Sequence, residues 1–272
     1  MITLYGGGGF IGKAWSDRTK FQFRGVQRHE TKPHSPEALF LISTTDNYSV
    51  FDKPTLDIET NLMALMQRLS EFRAGDTFNY VSSWFVYGDH KEAEVNEDDF
   101  CDPRGFYSIT KRCAEQLLIS YCTTHKINWR IFRLSNIYGP GEAATQKKNA
   151  LTYLIGELKL NKPIALYWGG NCYRDYLHVR DCCRAIDYCL KKAPLNSITN
   201  IGYGRSRNFG DLIREAARLL ESKSVIKDCE PPPFHKQVQA RNFYMDVSKL
   251  TSYGFIPDTS MQEGLEELCG LT

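Results

Sequence analysis

Apolar residues along this chain follow two alternating rhythms. Short β-rich runs, ITLY (2–5), FQFRGV (21–26), ALFLIST (38–44), TFNYVSSW (77–84) and INWRIFRLSNIYG (127–139), end in glycine, small or polar residues. Between them lie stretches of helical period: FIGKAW (10–15), DIETNLMALMQRLSEF (57–72), with Leu62, Leu65, Met66 and Leu69 on one face, and GFYSITKRCAEQLLISYC (105–122). Strand followed by helix, repeated, predicts a parallel sheet with helices on both faces. The expectation for residues 1–139 is an α/β, Rossmann-like, doubly wound domain.

Past Pro140 the rhythm loosens. ALTYLIGELKL (150–160) reads as helix, NKPIALYW (161–168) as strand and HVRDCCRAIDYCLKKA (178–193) as a helix that Asp181 helps to start. SITNIGYG (197–204) reads as a strand ending in glycines, and from Asn208 two helical patterns flank a Pro-rich irregular stretch, Pro231–Pro233. Residues 140–272 are expected to form mainly a small mixed α/β lobe, with a segment at about 176–204 packing back on the first domain. Such a lobe would sit over the carboxyl edge of the sheet, where open α/β folds hold ligands.

The 272 residues, 42% hydrophobic and 24% charged, suit one large α/β domain or a nucleotide-binding core with an appended lobe. A formal net charge of +2 gives no ground for a nucleic-acid or membrane partner. The 9 cysteines are odd in number and form no C-x-x-C pair; they read as free thiols of a reducing cytoplasm, with no disulfide framework and no metal site. The chain enters a strand at once, so no leader is read, and no apolar run approaches the ~20 residues of a membrane span.

Chemistry enters with the glycines. Gly6, Gly9 and Gly12, with Phe10 and Ile11 between the last two, follow the first strand and open a helix. That spacing permits a tight turn, close approach of a diphosphate and amide groups aimed at it. The second strand ends Gly25-Val26-Gln27-Arg28-His29, with no carboxylate at its tip to accept from a ribose hydroxyl. Arg28 there reads either as a partner for a 2′-phosphate, which favours NADP over NAD, or as a solvated surface charge. Tyr107 and Lys111 are spaced Y-x-x-x-K on one helix face. A neighbouring ammonium favours phenolate, so the pair is expected to bring a tyrosine that ionises near ~10 when free into acid–base use near neutrality.

These features occur in one order with a serine-bearing strand ending in Val86-Tyr87-Gly88, then RLSNIYGPG (133–141) and RDYLHVRD (174–181). Together they resemble the extended short-chain dehydrogenase/reductase superfamily, specifically its NAD-dependent epimerase/dehydratase family acting on nucleotide sugars, over nearly the whole chain. The resemblance implies a bound NAD or NADP, a nucleotide-sugar substrate and a homodimer through helices near 61–72 and 106–122. It implies that Gly6, Gly9 and Gly12 cradle the cofactor diphosphate, that Ser43 and Thr44, with Thr45, line the cofactor, and that Asp46 and Asn47 turn the chain. It makes Ser83 the hydroxyl that polarises the reacting carbonyl, Tyr107 the acid–base group and Lys111 its partner, which also holds the nicotinamide ribose. Asn136 and Arg174 fall at substrate positions, Arg174 on the diphosphate. Arg241 matches a second phosphate contact, though Asn136 as a turn residue and Arg241 as a surface charge stand beside these readings. Ser82 reads as a strand-end hydrogen-bonder, His178 as a structural histidine, and the segment with Gln146, Lys147 and Lys148 either as a closing loop or as a plain exposed one.

Two departures matter. Only about ten residues (29–38) connect the second and third strands, where the family carries a helix and a strand. The sheet is therefore expected to be shortened by about one strand–helix unit, and the first helix also looks short. Trp84 and Phe85 fall where a 4,6-dehydratase of the family keeps its elimination acid and base, and neither side chain can serve. The sequence thus points to a nucleotide-sugar epimerase, at C4 of a UDP- or dTDP-hexose. An NADPH-dependent reductase is the alternative, and a non-catalytic dinucleotide sensor the reading from another class.

Overall fold

The computed structural model describes residues 1–45, 48–89, 93–142 and 149–271. The first apolar run is β1 (Ile2–Tyr5), buried throughout, and α1 (Phe10–Ser16) follows the glycines with 7 residues. Next come β2 (Phe23–Gly25), β3 (Glu37–Phe40) and a short α2 (Ser49–Asp52). The chain then winds as a π-helical turn, Ile58–Met63, into α3 (Ala64–Leu69). β4 (Thr77–Ser83) runs into a 3-10 turn at Trp84–Tyr87, followed by β5 (Glu94–Val95), α4 (Phe106–His125) and β6 (Asn128–Leu134). Side chains alternate across these strands. Ile2, Leu4, Val81 and Phe132 share one core with Trp15 of α1, whereas Tyr5, Phe78, Tyr80 and Ile131 share another with Leu65, Leu69 and Leu118 of α3 and α4.

After β6 the chain continues as β7 (Asn136–Tyr138), α5 (Ala150–Lys159), β8 (Ile164–Tyr167) and β9 (Tyr173–His178). Then come α6 (Val179–Lys192), β10 (Ser197–Ile201), β11 (Ser206–Asn208), α7 (Phe209–Leu219) and β12 (Ile226–Cys229). The tail holds α8 (Pro233–Val238), β13 (Tyr244–Met245), α9 (Ser248–Ser252) and α10 (Met261–Cys269). It is richer than the two helical patterns read from sequence, and Pro233 opens a helix where an irregular stretch was expected.

The main sheet is parallel, in the order β2-β1-β3-β4-β6-β10. It ends on β2, and residues 26–36 carry neither helix nor strand, which is the shortening that the spacing predicts. The run 127–139 is two strands, not one. Ser135 donates its amide to Ile201 of β10, and from Asn136 the chain leaves the sheet to pair with β9 in a separate sheet, β11-β9-β7. A third core, with Tyr138, Leu151, Leu166, Leu212 and Leu265, fills the lobe built from α5, α7 and α10.

Two buried acids organise the joints. Asp175 of β9 accepts from the amides of Tyr203 (2.8 Å), Gly204 (3.1 Å) and Met245 (3.3 Å), tying three segments together. Asp181 is the acidic residue of the first turn of α6, as expected. His178 caps that helix, its Nδ1 accepting from Arg180 N at 3.2 Å, while the Asp181 carboxylate takes the amides of Asp258 and Thr259 and pairs with Arg184. A third acid, Glu115 of α4, is clamped by Arg133 of β6 through Nε (3.1 Å) and Nη2 (2.9 Å), with both side chains buried.

Candidate active site

A cleft of about 1030 Å3 runs from the glycine loop, past the carboxyl ends of β4 and β6, to β8, β9 and α8. At one end the loop is sterically forced. Gly6 has φ +87°, and a Cβ there would lie 2.9 Å from Ile42 N; a Cβ on Gly12 would sit 2.2 Å from Gly6 O. A Cβ on Gly8 would meet nothing within 4 Å. The loop is therefore closed against its own backbone and open toward the cleft, which Gly8, Gly9, Phe10, Ile11 and Gly12 line. Gly9 caps α1 without a side chain, so the first-turn amides keep their donors free of a side-chain cap. This cradle fits a dinucleotide diphosphate.

Mid-cleft, β4 delivers Ser83 at its last residue and α4 delivers Tyr107 and Lys111 from its first two turns. The Tyr107 side chain shares the cleft lining with Ser83 and Ser43. The Lys111 ammonium donates to Val81 O (2.7 Å) and lies 4.2 Å from the centre of the Tyr80 ring. The electrostatics differ from the expectation that the ammonium lowers the tyrosine. Burial pushes the Tyr107 phenol up, and the neighbouring Ser83 and Ser43 hydroxyls only partly offset it. Burial pulls Lys111 down to about 7, against the pull of Glu115. In the ligand-free protein, lysine is the group whose pKa burial has brought to neutrality.

Toward the lobe, Asn136 donates to Asp175 O (3.0 Å) and lines the cleft. Arg174, also in the lining, donates to the carbonyls of Tyr173 (3.0 Å) and Arg241 (2.5 Å) and stands over the Trp84 ring at 5.7 Å. Among the described residues no carboxylate pairs with it at salt-bridge distance. Trp84 is buried, stacked on Phe85 (centroids 4.0 Å) and against Phe243 (4.3 Å). Phe85 meets the Tyr107 ring edge-on at 5.8 Å. The two aromatics thus form an apolar wall beside Ser83 and Tyr107.

The cleft brings together Gly6, Gly9, Phe10, Ile11, Gly12, Ser43, Ser83, Tyr107, Lys111, Asn136 and Arg174. Thr44, Arg28 and Arg241 are not among its lining residues. The Thr44 hydroxyl is turned inward onto Asp57 and Asn61. Arg28 is exposed, and what it offers Arg68 is its carbonyl (2.7 Å). Arg241 is exposed, with its Nε on Asn171 O (3.0 Å). Asp46, Asn47, Gln146, Lys147 and Lys148 lie outside the described residues. Asn61 was not anticipated: the π turn places its amide on Ser43 (3.1 Å), Thr44 and Thr110 (2.9 Å), bracing the wall behind Tyr107. Nor was the bridge at the mouth, where Tyr48 and His235 of α8 meet at 2.8 Å. A single histidine in a Pro-rich stretch carries no pattern that would reveal it.

The family model for the NAD dependent epimerase/dehydratase family matches residues 27–202. The chain belongs to this family. Within it, a low-salt glycan biosynthesis protein of Haloferax volcanii is 28% identical over 70% of this chain and 60% of its own length. A trifunctional UDP-glucose 4,6-dehydratase/UDP-4-keto-6-deoxy-D-glucose 3,5-epimerase/UDP-4-keto-L-rhamnose-reductase of Arabidopsis thaliana is 30% identical over 70% of this chain, but the match spans only 28% of that protein. The fold is that of a UDP-glucose 4-epimerase solved with UDP-glucose from Thermotoga maritima, with a TM-score of 0.85 at 20% identity, covering 99% of this chain and 97% of that one. Family members so matched include dehydratase, epimerase and reductase chemistries, so the choice among them rests on this chain's own residues.

Proposed function

We propose that this protein is a nucleotide-sugar epimerase, acting at C4 of a UDP- or dTDP-hexose with a bound nicotinamide dinucleotide. The observation that carries the reading is the convergence of Ser83 and Tyr107 in one cleft with the glycine cradle, Lys111 and the carboxylate-free Arg174. Gly6 to Gly12 would hold the dinucleotide diphosphate and Lys111 the nicotinamide ribose. Arg174, held by two carbonyls and lacking an acid partner among the described residues, would take the substrate diphosphate. A bound nicotinamide supplies a reversible acceptor for the sugar's hydride.

Tyr107 would accept the proton of the reacting hydroxyl, and Ser83 would donate a hydrogen bond to the forming carbonyl. In an epimerase the keto-sugar would present its other face to the bound nicotinamide, and Tyr107 would give the proton back to the re-formed hydroxyl. Trp84 and Phe85 support the absence of dehydration, because elimination of water needs an acid and a base where these rings stand. The missing carboxylate after β2, with Arg28 exposed two residues past the last amide bond of β2 to β1 (Val26 N to Leu4 O, 3.0 Å), favours as a second reading an NADPH-dependent reductase.

Incubation with UDP-glucose, UDP-galactose and their dTDP counterparts tests this. The expected result is interconversion of C4 epimers with no net change in reduced-nicotinamide absorbance. Stoichiometric NADPH consumption would move the assignment to the reductase, and a 4-keto-6-deoxy product would overturn the exclusion of dehydration. The cradle has its own test. Gly12→Ala should lower stability by about 2 kcal/mol, because the loop must open, whereas Gly8→Ala should leave the melting midpoint unchanged and weaken dinucleotide binding at least tenfold. A Gly8→Ala protein that binds the dinucleotide normally would remove the loop as the diphosphate site.

A further inference from the structure

We infer that Glu115 is a positioning residue for the Tyr107–Lys111 pair: its buried carboxylate, one helical turn beyond Lys111, favours the protonated lysine and so biases the pair toward ammonium with phenolate. This rests on the reading of Tyr107 as the acid–base group.

Tyr107, Lys111 and Glu115 follow one another along a single face of α4 and are 9%, 1% and 0% exposed. Nothing about Glu115 is adjustable. Arg133 of β6 grips both its oxygens, and Arg112 of its own helix reaches one of them at 2.9 Å. The Lys111 ammonium is anchored in turn on the carbonyl of Val81 of β4. Around this core, Tyr80 faces Lys111, Tyr107 and Glu115, and Cys113 faces Tyr80. Cys101 faces Arg133, Arg112 and Glu115, and Tyr87 and Glu97 lie against Arg133. Asp57, beyond Ser43, faces Tyr107.

The pair as a whole loses one proton as pH rises through neutrality. The proton leaves either the ammonium, giving amine and phenol, or the phenol, giving ammonium and phenolate. Both forms hold the same number of protons, so pH cannot choose between them; the local field does. Along the helix Glu115 lies about 6 Å from Lys111 and about 12 Å from Tyr107, so its charge favours ammonium with phenolate, the form the chemistry needs. Glu115 opposes the effect of burial on Lys111, although burial outweighs it, and burial with Asp57 holds Tyr107 up, so the bias Glu115 supplies works against the rest of the site.

The test reads the Lys111 side-chain nitrogen by NMR against pH in the full chain, the resonance being assigned with Lys111→Met, together with kcat/KM profiles on whichever nucleotide sugar turns over. Glu115→Gln keeps the shape and removes the charge. It should move the midpoint down by about one pH unit, and the kcat/KM plateau should fall about tenfold with the acid limb shifted the same way. Arg112→Gln, which removes a half-buried cation from the same carboxylate, should move the midpoint up. Glu115→Asp should restore the wild-type midpoint. A Glu115→Gln protein with reduced rate but an unmoved midpoint shows a purely structural acid and overturns the inference. If Glu115→Gln does not fold, Arg112→Gln decides alone, and a midpoint that stays or falls overturns it. If Tyr107→Phe retains turnover, the functional reading fails and this inference with it; if Tyr107→Phe is inactive while neither midpoint moves, only this inference fails.

Discussion

Tyr107→Phe should lower nucleotide-sugar turnover by a factor of ~10^2–10^4 while leaving dinucleotide binding intact. The ring stays, so its edge contact with Phe85 persists; only the hydroxyl, in the cleft with Ser83 and Ser43, is lost. The fold therefore has little reason to change, and the melting midpoint should stay within a few degrees of wild type. The same site sets the pH dependence. Lys111 is held at about 7 and Tyr107 is held up by burial, so below neutrality the pair keeps both protons and has no base. Turnover should rise as pH passes through 7. Steady-state kinetics of purified wild type and variant across neutral pH check both statements. Turnover of Tyr107→Phe within tenfold of wild type would take the residue out of the chemistry.

Arg133→Leu should cost about 3–5 kcal/mol of stability, a fall in melting midpoint on the order of 10 °C. Arg133 is among the largest fully buried side chains of the protein, and besides Glu115 it serves Glu97 O (3.3 Å) and stands over the Tyr87 ring at 4.7 Å. Its removal leaves a buried carboxylate with Arg112 as its remaining cation. The double replacement Glu115→Leu/Arg133→Met should be far less harmful than the single one, because no orphaned charge remains. Thermal melts of the three proteins decide this, and a double variant as unstable as Arg133→Leu would show that packing, not charge, governs the site. The sign with pH is fixed as well. Arg133 holds the Glu115 carboxyl below its ordinary range despite the opposing effect of burial, so the pair's contribution is present above the ordinary glutamate range and lost as pH falls through the lower folded value.

What could be read from sequence is what depends on neighbours along the chain. The glycine turn, the Y-x-x-x-K helix and the serine at the end of β4 are local, and their side chains converge because strand ends and helix starts meet at one edge of a parallel sheet. The short link after β2 likewise leaves room for no extra strand. What was not legible depends on partners distant in sequence. Nothing in INWRIFRLSNIYG marks Ser135 as the point where the strand changes sheets, since that is set by where β9 and β10 lie. Asp181 sits in the first turn of α6, as its position suggests, but nothing nearby in sequence shows that its carboxylate also takes the amides of Asp258 and Thr259. The Tyr107 phenol was expected to be lowered by its lysine, yet helical spacing says nothing of burial, which works on both groups of the pair in opposite senses. Asn61 and the Tyr48–His235 bridge escaped for the same reason: a π turn and a contact between β3's exit and α8 have no periodic signature.

The departure of the chain at Ser135 has a consequence for how the protein comes into being. β6 is flanked by β4 at once, but its other side is covered only by β10, which emerges after the whole excursion through β7, α5, β8, β9 and α6. Until then a nascent chain displays an apolar strand with an open row of backbone donors and acceptors, the template on which chains pair with one another. The first half cannot finish folding on its own during synthesis. Chains cut short anywhere before Ile201 should aggregate, and expression of the isolated amino-terminal half should yield insoluble material where the full chain does not.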